Sequence, residues 1–389
     1  MPRVAAAAKS DVVFCFSYLT WEGCVRAGGF HSEARFAQTL LDDGLVRRTL
    51  ICNTIRSLPR KVAADTVARA RGTSERFPGD DRRRLLEPVR LRRHEPTSIK
   101  GVARAIARYD RALRIGAERA GFRKPVVIVS HPLLAGFADF SWAGSVTFYA
   151  TDDWTAYPPA RRWWDAYRES YARVRASDRR VGAVSQALLE RIEPRGASAV
   201  VPNGLDPNEW IEPARAPEWL ARLPRPILLY AGTLDSRLDV PGLLALARQK
   251  PHATLLLVGP LVEPGHLEPL HAAGNVVVRP PIGREELVGL VQAADVGMIP
   301  HVRSPLTEAM SPLKLYEYLG AGLPVVATDL APMRSIDRRV LLVPAGREYA
   351  PAVDTAVELG RASEEARIGF VEANSWRTRH RRLLELALA

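Results

Sequence analysis

The sequence has no apolar stretch long enough to cross a bilayer. Hydrophobic residues make up 47% of the 389 positions but fall in short blocks separated by charge, whereas a spanning helix needs about 18 or more in succession. The first residues make a poor signal peptide, because Lys9 and Asp11 interrupt the apolar run and Val12–Phe16 reads as a first strand. Cysteine is scarce. Cys15, Cys24 and Cys52 cannot all pair and lack metal-ligand spacing, so they read as reduced, cytosolic and structural. No Asp-x-Asp occurs, which removes support for a divalent-metal nucleotide site of that kind. There is no repeat and no low-complexity tract apart from the arginine-rich Arg82–Arg93 segment.

Charge is plentiful and unevenly placed. Residues 1–215 hold 36 Lys and Arg against 24 Asp and Glu, and residues 216–389 hold 19 of each. The whole formal excess of +12 therefore belongs to the first part. A basic half suits an anionic acceptor, an anionic surface or nucleic acid. Lys100, Arg104, Arg108 and Arg111 fall on one side of a helical pattern over 98–120, after Arg82, Arg83, Arg84, Arg90, Arg92 and Arg93. Such an array could dock reversibly on anionic lipid, or it could be a solvated helix face. Arg161-Arg162-Trp163-Trp164 adds a basic, aromatic patch. No nucleic-acid motif accompanies these residues, so nucleic acid is not an expected partner.

Short apolar blocks alternate with helical patterns. In the first half the strands are Val12–Phe16, Thr49–Cys52, Val126–Ser130, Val146–Ala150 and Val181–Val184. The Ser32–Asp43 helix between the first two ends at Gly44. Residues 207–226 carry five prolines, two tryptophans and little period, which is linker composition. A second series follows: Ile227–Ala231, Thr254–Val258, Val276–Val278, Val296–Ile299, Val325–Thr328 and Leu341–Val343. Continuous apolar strands belong in parallel sheets covered on both faces. The expected fold is α/β: two doubly wound, Rossmann-like domains facing a central cleft, with ligands at the carboxyl ends of the strands. The expected divisions are 1–206, a linker 207–226, a second domain 227–365, and a C-terminal helix 366–389 that crosses back to the first domain.

The most informative stretch is Ser304–Asp329. Ser311-Pro312 opens a helix carrying Lys314 and Glu317, and Gly320 and Gly322 lead into the apolar strand Val325–Thr328. Amides at a helix start attract anions, and Lys314 adds a charge. Glu317 lies one turn on, where a carboxylate can accept two sugar hydroxyls. A phosphate site beside a diol site suits a nucleotide-sugar, although an exposed i,i+3 ion pair would have the same spacing. Four weaker signals stand at strand ends. Gly28-Gly29 follow the first strand, Ala231-Gly232-Thr233 precede Arg237, His131 follows Val126–Ser130, and Asp152-Asp153 follow Val146–Ala150. Each also has a plain structural reading as a turn, a solvated arginine, a structural histidine or a helix cap.

Taken in order, these elements resemble a family-four glycosyltransferase of the glycosyltransferase-B fold. The matching pieces are Gly28-Gly29, Val184-Ser185, Val201 to Asp206, Tyr230-Ala231-Gly232, Leu257 to Pro260, Asn275-Val276 with Glu285 to Leu287, Ala294 to Val296, and Glu317 to Val326. The segment Pro312–Leu319, PLKLYEYL, is similar to a subgroup with members that build cell-surface polysaccharides. The resemblance implies a retaining, metal-independent transferase that uses a nucleotide-diphospho-sugar, with UDP or GDP as the nucleotide and no other cofactor. It implies donor contacts from Gly28, Gly29, Gly232, Thr233, Arg279, Glu308, Met310, Ser311, Pro312, Leu313 and Glu317. Lys314 and Arg237 would serve the leaving diphosphate, and Asp152, Asp153 or His131 the acceptor. The acceptor would be a glycan, a lipid-linked glycan or a small molecule, met in the cytoplasm or at the inner face of the membrane. The sequence departs from the family at Ala309, where a first glutamate is expected, at Thr233, where an arginine is expected, and near Tyr149–Asp153, which lacks a histidine. Two other readings remain: a nucleotide-sugar epimerase or inverting transferase of the same fold, and a non-catalytic binding protein that uses the basic half.

Overall fold

The computed structural model describes residues 10–29, 31–42, 44, 46–70, 77–91 and 94–389. Lys9, Asp43, Arg92 and Arg93, named above, lie outside them. The chain divides into two units: residues 1–202 with Arg379–Ala389, and Asn203–Thr378.

The first unit holds β1 (Asp11–Cys15), β2 (Arg48–Cys52), β3 (Arg56–Ser57), β4 (Arg83–Leu86), β5 (Val89–Arg90), β6 (Val126–Val129), β7 (Ser145–Ala150), β8 (Arg180–Ala183) and β9 (Ser198–Val200). Seven of these form one sheet in the order β4-β2-β1-β6-β7-β8-β9, and β3 pairs with β5. Every pairing is parallel, with Val13 beside Leu50 on one side and Val127 on the other. All five residues of β1 are buried, as a strand covered on both faces requires.

Two edge strands escape a reading based on apolar runs. Arg83–Leu86 lies inside the arginine-rich segment yet pairs with β2, Arg84 beside Leu50 and Leu86 beside Cys52. An edge strand keeps one side open to water, so arginines are tolerated and also discourage pairing with another chain. Ser198–Val200 closes the other edge against β8. A short helix, Trp21–Arg26, was also unforeseen, whereas the 98–120 pattern appears as the helix Ile99–Arg119 capped by Ser98. Lys100, Arg104, Arg108 and Arg111 are exposed along it.

The second unit holds β10 (Ile227–Ala231), β11 (Thr254–Val258), β12 (Val276–Arg279), β13 (Val296–Ile299), β14 (Val325–Thr328) and β15 (Val340–Val343). They form one parallel sheet in the order β12-β11-β10-β13-β14-β15. Successive residues serve opposite faces. Leu229, Ala231, Leu256 and Val258 belong to one buried cluster, and Leu228, Tyr230, Leu255 and Leu257 to the other.

The proline-rich 207–226 segment is not a free linker. It contains the helix Pro207–Trp210, and Trp210 and Leu220 are buried in the core of the second unit. Proline removes helical period without removing the capacity to pack. At the other end, Leu383 takes the space that Gly182 leaves: a Cβ at 182 would lie 2.6 Å from its Cδ1. The His380 Nδ1 lies 2.6 Å from the Thr39 hydroxyl.

Candidate functional site

In each sheet the chain winds out in two directions from a central strand, and the crevice at that reversal is where doubly wound sheets take ligands. In the second unit the reversal lies between β10 and β13. Gly232-Thr233 follow β10, Gly259 follows β11, and His301 follows β13 by two residues.

The backbone there is held open by missing side chains. Gly259 has φ 151°, and a Cβ on it would lie 2.0 Å from the Gly232 carbonyl oxygen. Gly232 has φ 152°, and a Cβ on it would lie 2.9 Å from both Cε and Nζ of Lys314. Lys314 is the second residue of the helix Leu313–Gly320. Its side chain is seated in the gap at the end of β10, and its ammonium lies 4.4 Å from the centroid of the Tyr230 ring.

The Tyr230 hydroxyl organises this corner. It donates to the Thr233 carbonyl at 3.0 Å and accepts from Lys314 Nζ at 3.2 Å. His301 Nε2 lies 3.2 Å from the same oxygen. The single hydroxyl proton is committed to Thr233, so Nε2 is the protonated nitrogen. His301 Nδ1 is buried without a partner among the described residues. Burial, with Lys314 and Arg237 nearby, holds this imidazole neutral, well below the usual histidine range. Burial and Arg237 also pull the Lys314 amine down to about 7, against the opposing pull of Glu317 and Asp235. Arg237 stands in the same field and forks onto Asp235, with Nη2 to Oδ2 at 2.8 Å.

One turn beyond Lys314, the Glu317 carboxylate is buried and engaged. Arg284 Nη1 donates to its Oε1 at 2.6 Å, and Arg284 Nη2 donates to Glu209 at 2.7 Å. The i,i+3 pair with Lys314 is therefore not what occupies Glu317. Arg284, His301 and Glu209 are unmarked in the sequence, because only the fold brings them here. Ser311 is fixed by Asn203, whose amide donates to its hydroxyl at 3.1 Å and whose Nδ2 donates to its carbonyl at 2.5 Å. Met310 and Pro312 are buried, so their backbone, with that of Leu313, is what they can offer a ligand. Ala309 is fully buried. Glu308 pairs with Arg303 at 3.0 Å and accepts from the Ala331 amide at 3.1 Å. Arg279, at the end of β12, places its guanidinium carbon over the Trp219 ring, 3.9 Å from the centroid, with a buried Nε that has no partner among the described residues.

In the first unit the reversal lies between β1 and β6. Gly28 and Gly29 have φ 82° and 67°, and their amides donate to Val25 and Cys24 at 2.9 Å each. They end the helix Trp21–Arg26 and spend their amides doing so. His131 is buried and caps the helix Pro132–Phe137, its Nδ1 accepting from the Leu134 amide at 3.3 Å. Burial pulls it down to about 3, so it stays neutral. Asp153 is fully buried. It accepts from the Thr155 amide at 3.0 Å and hydroxyl at 2.6 Å, and pairs with Arg191. Asp152 is exposed. Glu33, which no motif announced, is buried and pushed up to about 7 by that burial. Ser17 donates to it through its amide at 2.9 Å and its hydroxyl at 2.5 Å. Among the described residues no group of three or more His, Cys, Asp or Glu is placed to hold a metal ion.

Residues 225–358 match the family model described as Glycosyl transferases group 1. A stretch of 106 residues is 36% identical to TuaH of Bacillus subtilis (strain 168), a glycosyltransferase named for teichuronic acid biosynthesis. That match spans 27% of this chain and 27% of that protein. Among solved structures, the alpha,alpha-trehalose 6-phosphate synthase of Burkholderia multivorans is 13% identical, with 98% of each chain covered and a TM-score of 0.65. An E. coli trehalose-6-phosphate protein bound with UDP-2-fluoro glucose is 12% identical, with 97% of this chain and 99% of that one covered and a TM-score of 0.66. A UDP-forming synthase from Burkholderia xenovorans, in complex with glucose-6-phosphate, is also 12% identical, with 97% and 100% covered and a TM-score of 0.64. At these identities the likeness is one of fold. The chain thus has the glycosyltransferase-B fold, and most of its second unit matches the group 1 glycosyltransferase model.

Proposed function

We propose that this chain is a glycosyltransferase that moves a sugar from a nucleoside-diphospho-sugar to an acceptor hydroxyl. The observation that carries the reading is Lys314. It lies in the gap left by Gly232 at the reversal of the second sheet, one turn before Glu317. In this reading Lys314, Arg237 and the amides of Ser311 and Leu313 face the diphosphate, with Thr233 beside them. Negative charge develops there as the nucleotide leaves, and preformed positive charge lowers that barrier. Glu317 takes the ribose hydroxyls, and Arg284 keeps its carboxylate aimed. Arg279 offers a flat cationic face to the nucleotide. Glu308, tied to Arg303, plays at most a supporting part.

The finer assignments rest on the resemblance. They are transfer with retention, charge compensation by side chains in place of a metal, a UDP- or GDP-sugar donor, and a place in cell-surface polysaccharide synthesis. The match to a protein named for teichuronic acid biosynthesis supports the last. No helix among the described residues is long and apolar enough to cross a membrane. The exposed basic residues of Ile99–Arg119 support reversible contact with an anionic surface, which the resemblance places on the cytoplasmic side.

Calorimetry with UDP, GDP and their sugars tests the donor site. Glu317→Ala is expected to weaken binding about tenfold or more, the loss of one to two charge-assisted hydrogen bonds. Glu308→Ala should change it less than about twofold. Equal affinity for Glu317→Ala and the parent would remove the assignment.

A further inference from the structure

We infer that the crevice at the reversal of the first sheet is a binding site for an uncharged sugar ring, stacked on Tyr18, Trp154 and Tyr157. The inference deepens the transferase reading and rests on it: the ring would be the acceptor's.

The crevice is aromatic to a degree the fold does not require. The Tyr18 ring, after β1, lies 4.6 Å from Trp154, after β7, and 4.7 Å from His131, after β6. Trp154 continues to Tyr157 at 5.3 Å and to Tyr167 at 5.9 Å. His131 and Tyr167 are buried, Tyr18 and Trp154 are partly open, and Tyr157 is 38% exposed. The buried rings are a floor beneath the open ones. The Tyr18 and Tyr167 hydroxyls lie 2.6 Å apart, which fixes the tilt of Tyr18.

Both loops that carry the open rings are pinned by buried carboxylates. Glu33 holds the amide and hydroxyl of Ser17, one residue before Tyr18. Asp153 holds the amide and hydroxyl of Thr155, one residue after Trp154. Rings fixed in this way lose little freedom when a ligand stacks on them. Trp154 Nε1 is buried without a partner among the described residues, which leaves one donor unused at the wall.

The chemistry of the rim selects the ligand class. Asp152 is exposed in the same loop, and the charges of Asp152 and Glu33 act on one another. Glu95 bears on Tyr18 and Tyr167 but is paired with Arg90 at 2.8 Å, and Arg162 also bears on Tyr167. A phosphorylated acceptor beside Trp154 would meet the exposed carboxylate of Asp152. A neutral pyranose presents C–H faces to the rings and hydroxyls to the carboxylate and indole N–H, as ligand sites with apolar walls and few polar groups do.

Saturation-transfer NMR on the full chain tests this, with methyl glucopyranosides and galactopyranosides, glucose-6-phosphate, farnesyl phosphate, UDP and GDP as probes. Expected are transfer to the ring C–H protons of at least one neutral pyranoside, and weaker transfer to glucose-6-phosphate. Trp154→Ala should cut the pyranoside signal at least fivefold and Trp154→Phe largely restore it, while nucleotide signals persist in both. Tyr157→Ala, an exposed position, gives a second loss that does not depend on folding. Nucleotide binding without pyranoside binding, an unchanged pyranoside signal in Trp154→Ala and Tyr157→Ala, or a preference for farnesyl phosphate would overturn the inference and leave the transferase reading standing. Absence of nucleotide binding would bring down the transferase reading itself, and the inference with it.

Discussion

Lys314 is a cation whose charge depends on its surroundings. With its amine pulled to about 7 by burial and by Arg237, it is only partly protonated near neutrality. A bound diphosphate favours the ammonium form, so binding takes up a proton above that point. Affinity for UDP or GDP is expected to fall as pH rises from about 7 to about 9, approaching tenfold per unit at most. Calorimetry in two buffers of different ionisation enthalpy reads the proton directly, and Lys314→Arg should flatten the profile. A flat profile in the parent would show that Lys314 does not meet the diphosphate. That Lys314 and Glu317 share one helix was legible in the sequence, because helical spacing is local. Arg284, His301 and Glu33 were not, because each acquires its meaning from a partner 16 to 71 positions away.

At the scale of elements, the buried strands were the easy part. Ile227–Ala231, Thr254–Val258, Val296–Ile299 and Val325–Thr328 have the boundaries their apolar runs suggest. The edges Arg83–Leu86 and Ser198–Val200 were hidden because a half-solvated strand does not need such a run. The helix Leu313–Gly320 and β13 illustrate what no run reports. Gly297 has no side chain because the Tyr318 ring fills that space: a Cβ there would lie 2.3 Å from the ring. The same tyrosine's hydroxyl accepts from the Ala231 amide at 2.7 Å, so it ties the helix to the end of β10. Gly297→Ala is expected to destabilise the second unit by about 1–3 kcal/mol through overpacking. Urea unfolding followed by intrinsic fluorescence reads this, and an unchanged midpoint would mean that the ring moves aside without cost.

For the whole molecule, the buried histidines set the acid limit. Burial pulls His131 and His380 down to about 3, and His301 lies well below its ordinary range. Unfolding returns them to about 6.5. The unfolded chain therefore binds more protons in that window, and stability is lost as pH falls from about 6.5 toward 3. Glu33 acts in the opposite sense. Its folded value of about 7 exceeds its ordinary 4.5, so its contribution is lost as pH rises between the two. Thermal midpoints are expected to drop below about pH 6 in the parent. In Glu33→Gln the midpoint should rise relative to the parent on going from about pH 5 to about pH 8. A parent midpoint that does not fall on acidification would mean that the histidines are solvated.

The gap at Gly232 ties two distant positions into one unit of inheritance. A methyl at 232 and the amine of Lys314 claim the same space. Adding the first displaces the second, so a chain that has already lost the lysine side chain is spared that clash and keeps only the backbone strain of a side chain at φ 152°. The effects of changes at the two positions should therefore sum to less than their separate values. Drift at either position is constrained by the other, although the two lie 82 positions apart in the chain.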